Sequence, residues 1–468
     1  MKKIILFIYS LFLLFGNPAQ AQTLQLWGMT YSGGLNDGGV IMHIDELDSS
    51  HYAFPYSFGT PTGEFPRGSL LYAKDSIFYG MTLLDGADSS GVLFSYDART
   101  GNYTDLIDFK DTANIGSYPY GSLIQDTVSG LLYGMTSAGG AHNFGVIFSY
   151  TPSTKQYTDL HDFDSINGDA PYGKLFLGKN GLVYGMTSLG GVNNDGVIFS
   201  FSTKGHGFNT LYNFIDSTGA MPTGTLTLVK NKFYGMASQG GANDDGVIFS
   251  LDTLTNTYTD LLDFNYANGS NPYGSLVLVG DSILYGMTEN GIDSISGGVI
   301  FRFNPDSNTY EVLYVFDSTF GSNPAGSLIQ GQTGLLYGTT QLGGYYTDGV
   351  IFSFDPDSII YKDLYDLNNA VGGNPWGDLT EASVVTSIAP APVKNSFIIY
   401  PNPSKEQVTI LSPAIIDEIR VTDLLGQIIY TSTPKQNNLT LSLSEQGMYF
   451  VTLISNGQIA TRKLIIVK

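Results

Sequence analysis

A short motif recurs seven times along this chain at nearly constant spacing. The motif is Tyr-Gly-Met-Thr or a close variant, and its third position falls at residues 29, 81, 135, 186, 236, 287 and 339. Successive copies are therefore 50 to 54 residues apart. A period near fifty residues that is rich in Gly and aromatic residues is typical of β-propellers, because most helical solenoids have shorter repeats.

Each repeat contains four short apolar stretches separated by turn residues. In the third repeat these are residues 121–124, 131–136, 145–150 and 157–163. Residues 145–150 are mostly apolar at successive positions, so we expect this strand to be covered on both faces by neighbouring blades. Four strands in each of seven repeats predict an all-β, seven-bladed β-propeller over residues 22–380.

The two ends of the repeat array complement each other. The first repeat opens on Leu26-Trp27-Gly28-Met29-Thr30 without the Gly-Ser-Leu strand that precedes this element elsewhere. An extra segment, Pro375-Trp376-Gly377-Asp378-Leu379, follows the seventh repeat. We predict that this segment pairs with the N-terminal strand and completes the first blade, which removes exposed strand edges.

The segments outside the repeats predict export and a second domain. Residues 1–21 combine Lys2-Lys3, a short apolar run and Ala19-Gln20-Ala21, the pattern of a signal peptide cleaved between Ala21 and Gln22. That run is shorter than the roughly 20 residues of a membrane-spanning helix, and no later segment is long and apolar enough, so the mature protein is expected to lack a membrane span. Residues 381–396 are predicted to be a linker, and residues 397–468 a small Ig-like β-sandwich.

Charge and composition exclude several function classes. The chain has 42 acidic and 21 basic residues, a net charge of -21, which argues against a nucleic-acid partner. It has no cysteine, so disulfides, thiolate metal sites and a Cys nucleophile are excluded.

One position of the repeat varies while the Pro before it and the Gly after it persist. It is occupied by Arg67, Tyr120, Tyr172, Thr223, Tyr273, Ala325 and Trp376. The position begins the predicted innermost strand, so its side chains are expected near the propeller axis. The ligand-binding candidates are the aromatic and Arg side chains, which could stack on sugars or grip a peptide: Arg67, Tyr120, Tyr172, Tyr273 and Trp376. The alternative is that these side chains only plug the central channel.

Other polar residues predict no catalytic or metal site. Asp pairs such as Asp159 and Asp162 recur in four repeats, which indicates structure, and residues three apart on a strand are expected on opposite faces. The five histidines lack metal-ligand spacing. Asn- and Asp-rich loops such as 193–195 could bind Ca²⁺, but they are also good turn sequences. We therefore predict no catalytic residue, no metal ligand and no cofactor, with calcium as the one alternative.

Two segments resemble known families. The order Gly-Ser-Leu, Leu-Tyr-Gly-Met-Thr and Phe-Ser-Tyr-Asp resembles the kelch blade pattern and, more specifically, the bacterial GloVer tandem repeat. The C-terminal segment resembles the type A sorting domain of the type IX secretion system. The residues that carry this second resemblance are Tyr400, Pro401, Asn402, Pro403, Gly426 and Gly447.

The second resemblance implies a Bacteroidetes-type organism, passage through the type IX secretion machinery and removal of the tail by a sortase-like protease. This resemblance predicts a secreted or outer-membrane surface-attached propeller, and the variable aromatic position described above predicts that it binds a glycan, peptide or partner protein. The alternatives are a secreted polysaccharide hydrolase or lyase, and a passive surface-layer protein.

Overall fold

The computed structural model describes residues 23–46, 51–203, 207–292, 297–384, 397–423, 427–455 and 458–467. The predicted cleavage site at Ala21 and Gln22 and the sorting-motif residue Gly426 lie outside these ranges. The chain divides into two compact units, residues 1–386 and 387–468. In the described part of the chain, no helix has the length and apolar character needed to cross a membrane.

Unit one is built from short antiparallel strands. Its first strands are β1 Thr23–Thr30, β2 Val40–Asp45, β3 Tyr52–Ser57, β4 Leu71–Tyr72, β5 Ile77–Thr82, β6 Val92–Asp97, β7 Asn102–Asp108, β8 Gly116–Ser117, β9 Ile124–Gln125, β10 Leu132–Thr136, β11 Ala138–Gly139, β12 Val146–Thr151 and β13 Gln156–Asp162. Those that follow are β14 Phe176–Leu177, β15 Leu182–Thr187, β16 Val197–Ser202, β17 Asn209–Asn213, β18 Thr227–Val229, β19 Lys232–Ala237, β20 Val247–Asp252 and β21 Tyr258–Asp263. The last are β22 Val277–Val279, β23 Ile283–Thr288, β24 Val299–Asn304, β25 Thr309–Val315, β26 Ile329–Gln330, β27 Leu336–Thr340, β28 Val350–Asp355, β29 Ile360–Asp366 and β30 Thr380–Val384. Two 3₁₀ turns lie at Lys74–Ser76 and Asp216–Thr218.

Among the described residues, these strands form seven four-stranded sheets. Sheet 1 has the order β30-β1-β2-β3, and sheets 2 to 7 are β4–β7, β9-β10-β12-β13, β14–β17, β18–β21, β22–β25 and β26–β29. The small strands β8 and β11 form a separate pair. Each sheet corresponds to one sequence repeat, with sheet 1 assembled from both ends of the array.

The hydrophobic cores lie between adjacent sheets. Most residues of the third strand of each repeat are buried, and Val146 to Tyr150 of β12 are all buried, which matches the strand expected to be covered on both faces. One core joins residues of sheets 3 and 4, and others join sheet 1 to sheet 2 and sheet 1 to sheet 7. Each large apolar side chain buried there contributes roughly 1.5–3 kcal/mol. Every sheet is therefore held by neighbours on both faces.

Strand β30 closes sheet 1 by pairing with β1 in a register that sets Trp27 opposite Thr380 and Leu24 opposite Ser383. The predicted pairing of residues 375–379 was therefore wrong in position, because the ladder begins only at Thr380. Pro375 lacks an N–H donor, and Gly377 packs against the next repeat. The predicted linker boundary moves as well, since residues 381–384 belong to this strand and residues 385–396 lie outside the described ranges.

A ring of seven glycines precedes the inner strands β4, β9, β14, β18, β22, β26 and β30. The members of this glycine ring are Gly68, Gly121, Gly173, Gly224, Gly274, Gly326 and Gly377. Each lies so close to the next that a Cβ would fall 2.1 to 2.9 Å from that neighbour's carbonyl oxygen, and Gly377 meets Gly68 in the same way. Only glycine permits this approach. The contacts return to their starting point after seven members, so the glycines form a closed ring.

Unit two contains two antiparallel sheets. Its strands are β31 Ile398–Tyr400, β32 Gln407–Ile416, β33 Glu418–Thr422, β34 Ile428–Ser432, β35 Gln436–Ser442, β36 Gly447–Ser455 and β37 Gln458–Ile466. The sheet orders are β31-β32-β35 and β34-β33-β36-β37. Apolar residues of both sheets, such as Ile410 and Val451, share one core.

Candidate functional site

The chain enters every inner strand through the same turn. The turn consists of a residue with φ between 51° and 59°, a Pro, the variable position and the ring glycine. The positive-φ residues are Phe65, Tyr118, Ala170, Met221, Asn271, Asn323 and Asn374. Bulky L-residues rarely adopt this conformation, so the fold imposes it. The repeated turn sets the variable side chains side by side around the ring.

A cavity of about 320 Å³, here called the axial cavity, lies where the seven turns meet. Its lining includes all seven variable positions, so the structure brings together Arg67, Tyr120, Tyr172, Tyr273 and Trp376. Thr223 and Ala325 complete the set. Open space therefore remains between the side chains that were considered as plugs. The binding role of these residues stays a prediction.

Arg67 is held between aromatic rings. Its guanidinium carbon lies 4.0 Å from the ring centroid of Trp376, 4.5 Å from that of Tyr120 and 5.0 Å from that of Tyr31. Such cation–π contacts contribute about 0.5–2 kcal/mol each. The Nε atom of Arg67 is buried and has no hydrogen-bond partner. No described carboxylate pairs with this guanidinium.

Two neighbouring tyrosines, Tyr120 and Tyr172, line the axial cavity beside Arg67. The rings of Tyr120 and Tyr172 lie 4.4 Å apart between centroids, at an interplanar angle of 43°. Burial raises the pKa of both phenols, while the charge of Arg67 opposes the rise. Both hydroxyls therefore stay protonated at neutral pH and can donate hydrogen bonds.

Glu289 also lines the axial cavity, and the sequence interpretation missed it. It directly follows β23, at the repeat position that Tyr31, Leu83, Ser137, Ser188, Ser238 and Gln341 occupy elsewhere. Burial raises the pKa of Glu289, and its charge adds to the burial that raises the pKa of Tyr273. No described residue donates a hydrogen bond to its carboxylate. The available signal was that Glu289 is the one acidic residue at this repeat position.

A second cavity of about 340 Å³, the lower cavity, shares five lining residues with the axial cavity. The shared residues directly follow ring glycines: Lys174, Thr225, Ser275, Ser327 and Asp378. Side-chain oxygens at this position accept hydrogen bonds from backbone N–H groups of the preceding repeat. Ser327 Oγ accepts from Ser275 N at 2.8 Å, and Asp378 Oδ1 accepts from Ser327 N at 2.6 Å. Lys174 occupies this position in its repeat, but a lysine side chain has no acceptor atom. Ser122 N–H, at the same position of the preceding repeat, therefore has no such hydrogen bond among the described residues.

The recurring Asp pairs have a structural role. The second Asp accepts a loop amide, as Asp162 Oδ1 does from Ala141 N at 2.6 Å. The expectation that the two members point to opposite faces was wrong. A β-bulge sets Asp159 opposite Phe148 and Asp162 opposite Val146, which lie on one face. Burial, and then the charge of Asp162, raises the pKa of Asp159 to about 6.

The histidines and the Asn- and Asp-rich loops serve the fold where the structure describes them. His43 stacks on Trp27 at 4.4 Å, and burial lowers its pKa. Asn194 has a φ of 64° and accepts the Gly190 N–H within its own loop. The described residues contain no group of three or more His, Asp or Glu side chains placed to hold a metal ion. Calcium binding at the loops stays a prediction.

The sorting-motif residues lie at strand ends of unit two. Tyr400 ends β31, and Gly447 begins β36. Between Pro401 and Pro403, Asn402 donates from Nδ2 to the Lys463 carbonyl at 2.7 Å and accepts the Ile465 N–H at 2.9 Å. The motif thus fixes the entry of unit two against its last strand.

Comparison with known families gives two matches. Residues 15–194 and 173–387 match the Gloeobacter/Verrucomicrobia repeat, and residues 398–467 match the secretion system C-terminal sorting domain. This sorting domain of the type IX system indicates a secreted or outer-membrane surface-attached protein. It also implies an association with the secretion system. No curated protein matches the chain significantly.

Solved structures support the all-β fold. A protein named as a 6-phosphogluconolactonase from Bacteroides uniformis aligns with a TM-score of 0.52 at 12% identity, covering 77% of this chain and 100% of that one. A similarly named protein from Bacteroides fragilis aligns with a TM-score of 0.51 at 13% identity, covering 78% and 100%. PorZ, a surface component of the type IX secretion system of Porphyromonas gingivalis, aligns with a TM-score of only 0.33 at 12% identity, covering 93% of this chain and 81% of that one.

Proposed function

Because this chain belongs to the Gloeobacter/Verrucomicrobia repeat family and carries a type IX sorting domain, we propose that it is an exported seven-bladed β-propeller that binds carbohydrate in its axial cavity. Residues 1–21 act as a cleaved signal peptide in this proposal. Unit two is the Ig-like sorting domain that the secretion machinery recognises and a sortase-like protease removes.

The seven-bladed arrangement is supported by closure. Seven four-stranded sheets carry seven ring glycines, and the last glycine contacts the first. Sheet 1 joins both ends of the array through β30 and β1 and packs against sheets 2 and 7. Each sheet is then a blade, and the kelch-like order of motifs within a repeat follows its four strands. The glycine ring marks the propeller axis.

The observation that carries the binding role is an open aromatic cavity on that axis. Tyr120, Tyr172, Tyr273 and Trp376 offer ring faces, and Arg67 and Glu289 offer charged groups without described hydrogen-bond partners. Small-molecule sites combine such apolar walls with a few convergent polar groups. A volume of about 320 Å³ is at the lower end of the range for ligand pockets, roughly 300–1,000 Å³. Its occupant is therefore a compact unit, such as a sugar ring at a chain end.

A sugar suits these walls better than an apolar ligand. The less polar face of a sugar ring packs on an aromatic side chain, while its hydroxyls need nearby donors and acceptors. The hydroxyl of Thr223, the phenols and the Glu289 carboxylate supply both kinds of group.

The experiment incubates the purified protein with a panel of insoluble polysaccharides and immobilised glycoproteins, and records both retained protein and newly released reducing ends. Tyr172→Ala removes an axial side chain, and Tyr345→Ala, at an exposed loop position outside the cavity, is the matched control. We expect retention that Tyr172→Ala abolishes and Tyr345→Ala leaves intact.

Release of reducing ends would replace the proposal with a hydrolase or lyase. Absence of both signals would refute carbohydrate binding and favour a protein or peptide partner, or a passive surface role. Repeating retention with EDTA tests the calcium prediction, because a loop-bound Ca²⁺ needed for binding would be removed.

A further inference from the structure

Arg67 is a cation without an anion in a strongly acidic protein. Residues 22–380 contain 12 basic and 36 acidic residues. Other basic side chains of unit one, such as Arg99 with Asp97 and Arg302 with Glu311, form ion pairs. Arg67 forms neither an ion pair nor a hydrogen bond with any described residue, and its Nε is buried. Because Arg67 also lines the axial cavity, a ligand bound there can supply the acceptor that its guanidinium lacks.

The surroundings of Arg67 fix its orientation. The ring centroids of Trp376 and Tyr120 lie 4.0 and 4.5 Å from the guanidinium carbon. These two residues precede the ring glycines on either side of the glycine that follows Arg67. Because the aromatic rings contact the faces of the guanidinium, its N–H groups, which point outward in the guanidinium plane, remain available to donate hydrogen bonds to a ligand. A planar guanidinium held in this way matches the two oxygens of a carboxylate.

Glu289 limits what the rest of the ligand can be. It lies near Tyr273. The glycine that follows Tyr273 is three members of the glycine ring away from the glycine that follows Arg67, so the two residues lie on opposite sides of the axial cavity. A second negative charge on the ligand would meet the Glu289 carboxylate, whereas a hydroxyl would donate to it. The tyrosine rings between the two charged groups provide a stacking surface.

We infer that the axial cavity selects a sugar that carries a single carboxylate, with the carboxylate at Arg67 and ring hydroxyls toward Glu289. This inference rests on the proposed carbohydrate binding and names the class of sugar. A uronic acid at the end of an acidic polysaccharide has this chemistry: one carboxylate, several hydroxyls and a stackable ring.

The test is calorimetric titration of the full chain with matched ligands: glucuronate against glucose, galacturonate against galactose, and the methyl ester of the preferred acid. A hexose 6-phosphate serves as the alternative anion. Arg67→Met removes the charge, and Arg67→Lys keeps the charge but removes the planar guanidinium with its paired N–H donors. Arg99→Gln is the control at an exposed arginine. Far-ultraviolet circular dichroism checks that each variant is folded.

We expect the acid to bind at least about tenfold tighter than its neutral partner or ester, because charge-assisted hydrogen bonds contribute about 1.5–3 kcal/mol. Arg67→Met should bring the acid and neutral affinities together, Arg67→Lys should lie between, and Arg99→Gln should match the wild type. Equal binding of acid and neutral sugars, or tighter binding of the phosphate, would overturn the inference and leave carbohydrate binding in place. Binding of none of these sugars or of the polysaccharide panel would refute both.

Discussion

Replacing Asp159, Asp260 and Asp363 with Asn is expected to reduce a stability loss that the folded protein suffers as pH rises. Each of these carboxyls has a pKa raised from 3.8 to about 6, first by burial and then by the second Asp of its pair. The folded chain therefore binds more protons than the unfolded chain between these two values. By linkage, stability falls as pH increases through that window.

The magnitude follows from the size of the shift and the exposure of the groups. A shift of about two pKa units corresponds to about 3 kcal/mol for a fully buried group. These three side chains are only partly buried, so solvent screening reduces the value to about 1 kcal/mol each. The triple variant should therefore gain about 3 kcal/mol over the wild type at pH 7.5 and only about 1 kcal/mol at pH 4.5, where the unfolded carboxyls have already begun to ionise. Asn retains an oxygen acceptor for the backbone N–H groups of His161, Leu262 and Tyr365.

The assay is urea denaturation followed by circular dichroism between pH 4.5 and 7.5. This range stays above the region where Asp126 and Asp355, whose pKa values are lowered by hydrogen bonds, act with the opposite sign. A variant with Asn at the exposed Asp111, Asp281 and Asp357 removes the same number of charges. A triple variant that keeps the wild-type slope, or a control that loses it equally, would refute the reasoning.

Three further substitutions test the ring and its turns, each measured by the urea midpoint. Gly173→Ala should destabilise by about 1–3 kcal/mol or more, because its Cβ would lie 2.2 Å from the Gly224 carbonyl oxygen; wild-type stability would contradict the tight ring. Tyr118→Asn should stabilise by about 1 kcal/mol, since φ is 56° there and the equivalent Asn374 donates to the Gln341 carbonyl; an unchanged midpoint would argue against strain. Lys174→Ser should stabilise by about 0.5–1.5 kcal/mol by giving Ser122 N–H an acceptor, and a lower midpoint would show that Lys174 makes a larger contribution of its own.

The repeat made the strand pattern predictable. Each repeat after the first contains its own inner strand, buried third strand and turn, so these four-stranded sheets could be located from spacing alone. The closing strand was misplaced by a few residues, because Trp376 and Leu379 look like strand residues while the ladder begins at Thr380. Only the approach of Gly377 to Gly68 shows why residues before Thr380 serve the ring and not the sheet.

The candidate site was predictable only where the repeat exposed it. Arg67 and Trp376 stood out because they vary between a constant Pro and a constant Gly. Glu289 follows a different strand, and its approach to Tyr273 depends on ring curvature that spacing does not encode. The position of Asp159 relative to Asp162 was mispredicted for a related reason, since a single bulge residue reverses the alternation of side chains along a strand.

The central claim, that ligand binds in the axial cavity, is tested most directly by the fluorescence of Trp376. The chain has two tryptophans, and Trp27→Phe leaves Trp376 as the only one. Titration of this variant with glucuronate- and galacturonate-containing oligosaccharides is predicted to give a saturable emission change whose midpoint matches the calorimetric affinity and which Tyr172→Ala weakens. Calorimetric binding of these oligosaccharides without any change in Trp376 emission, and unaffected by Tyr172→Ala, would contradict the claim.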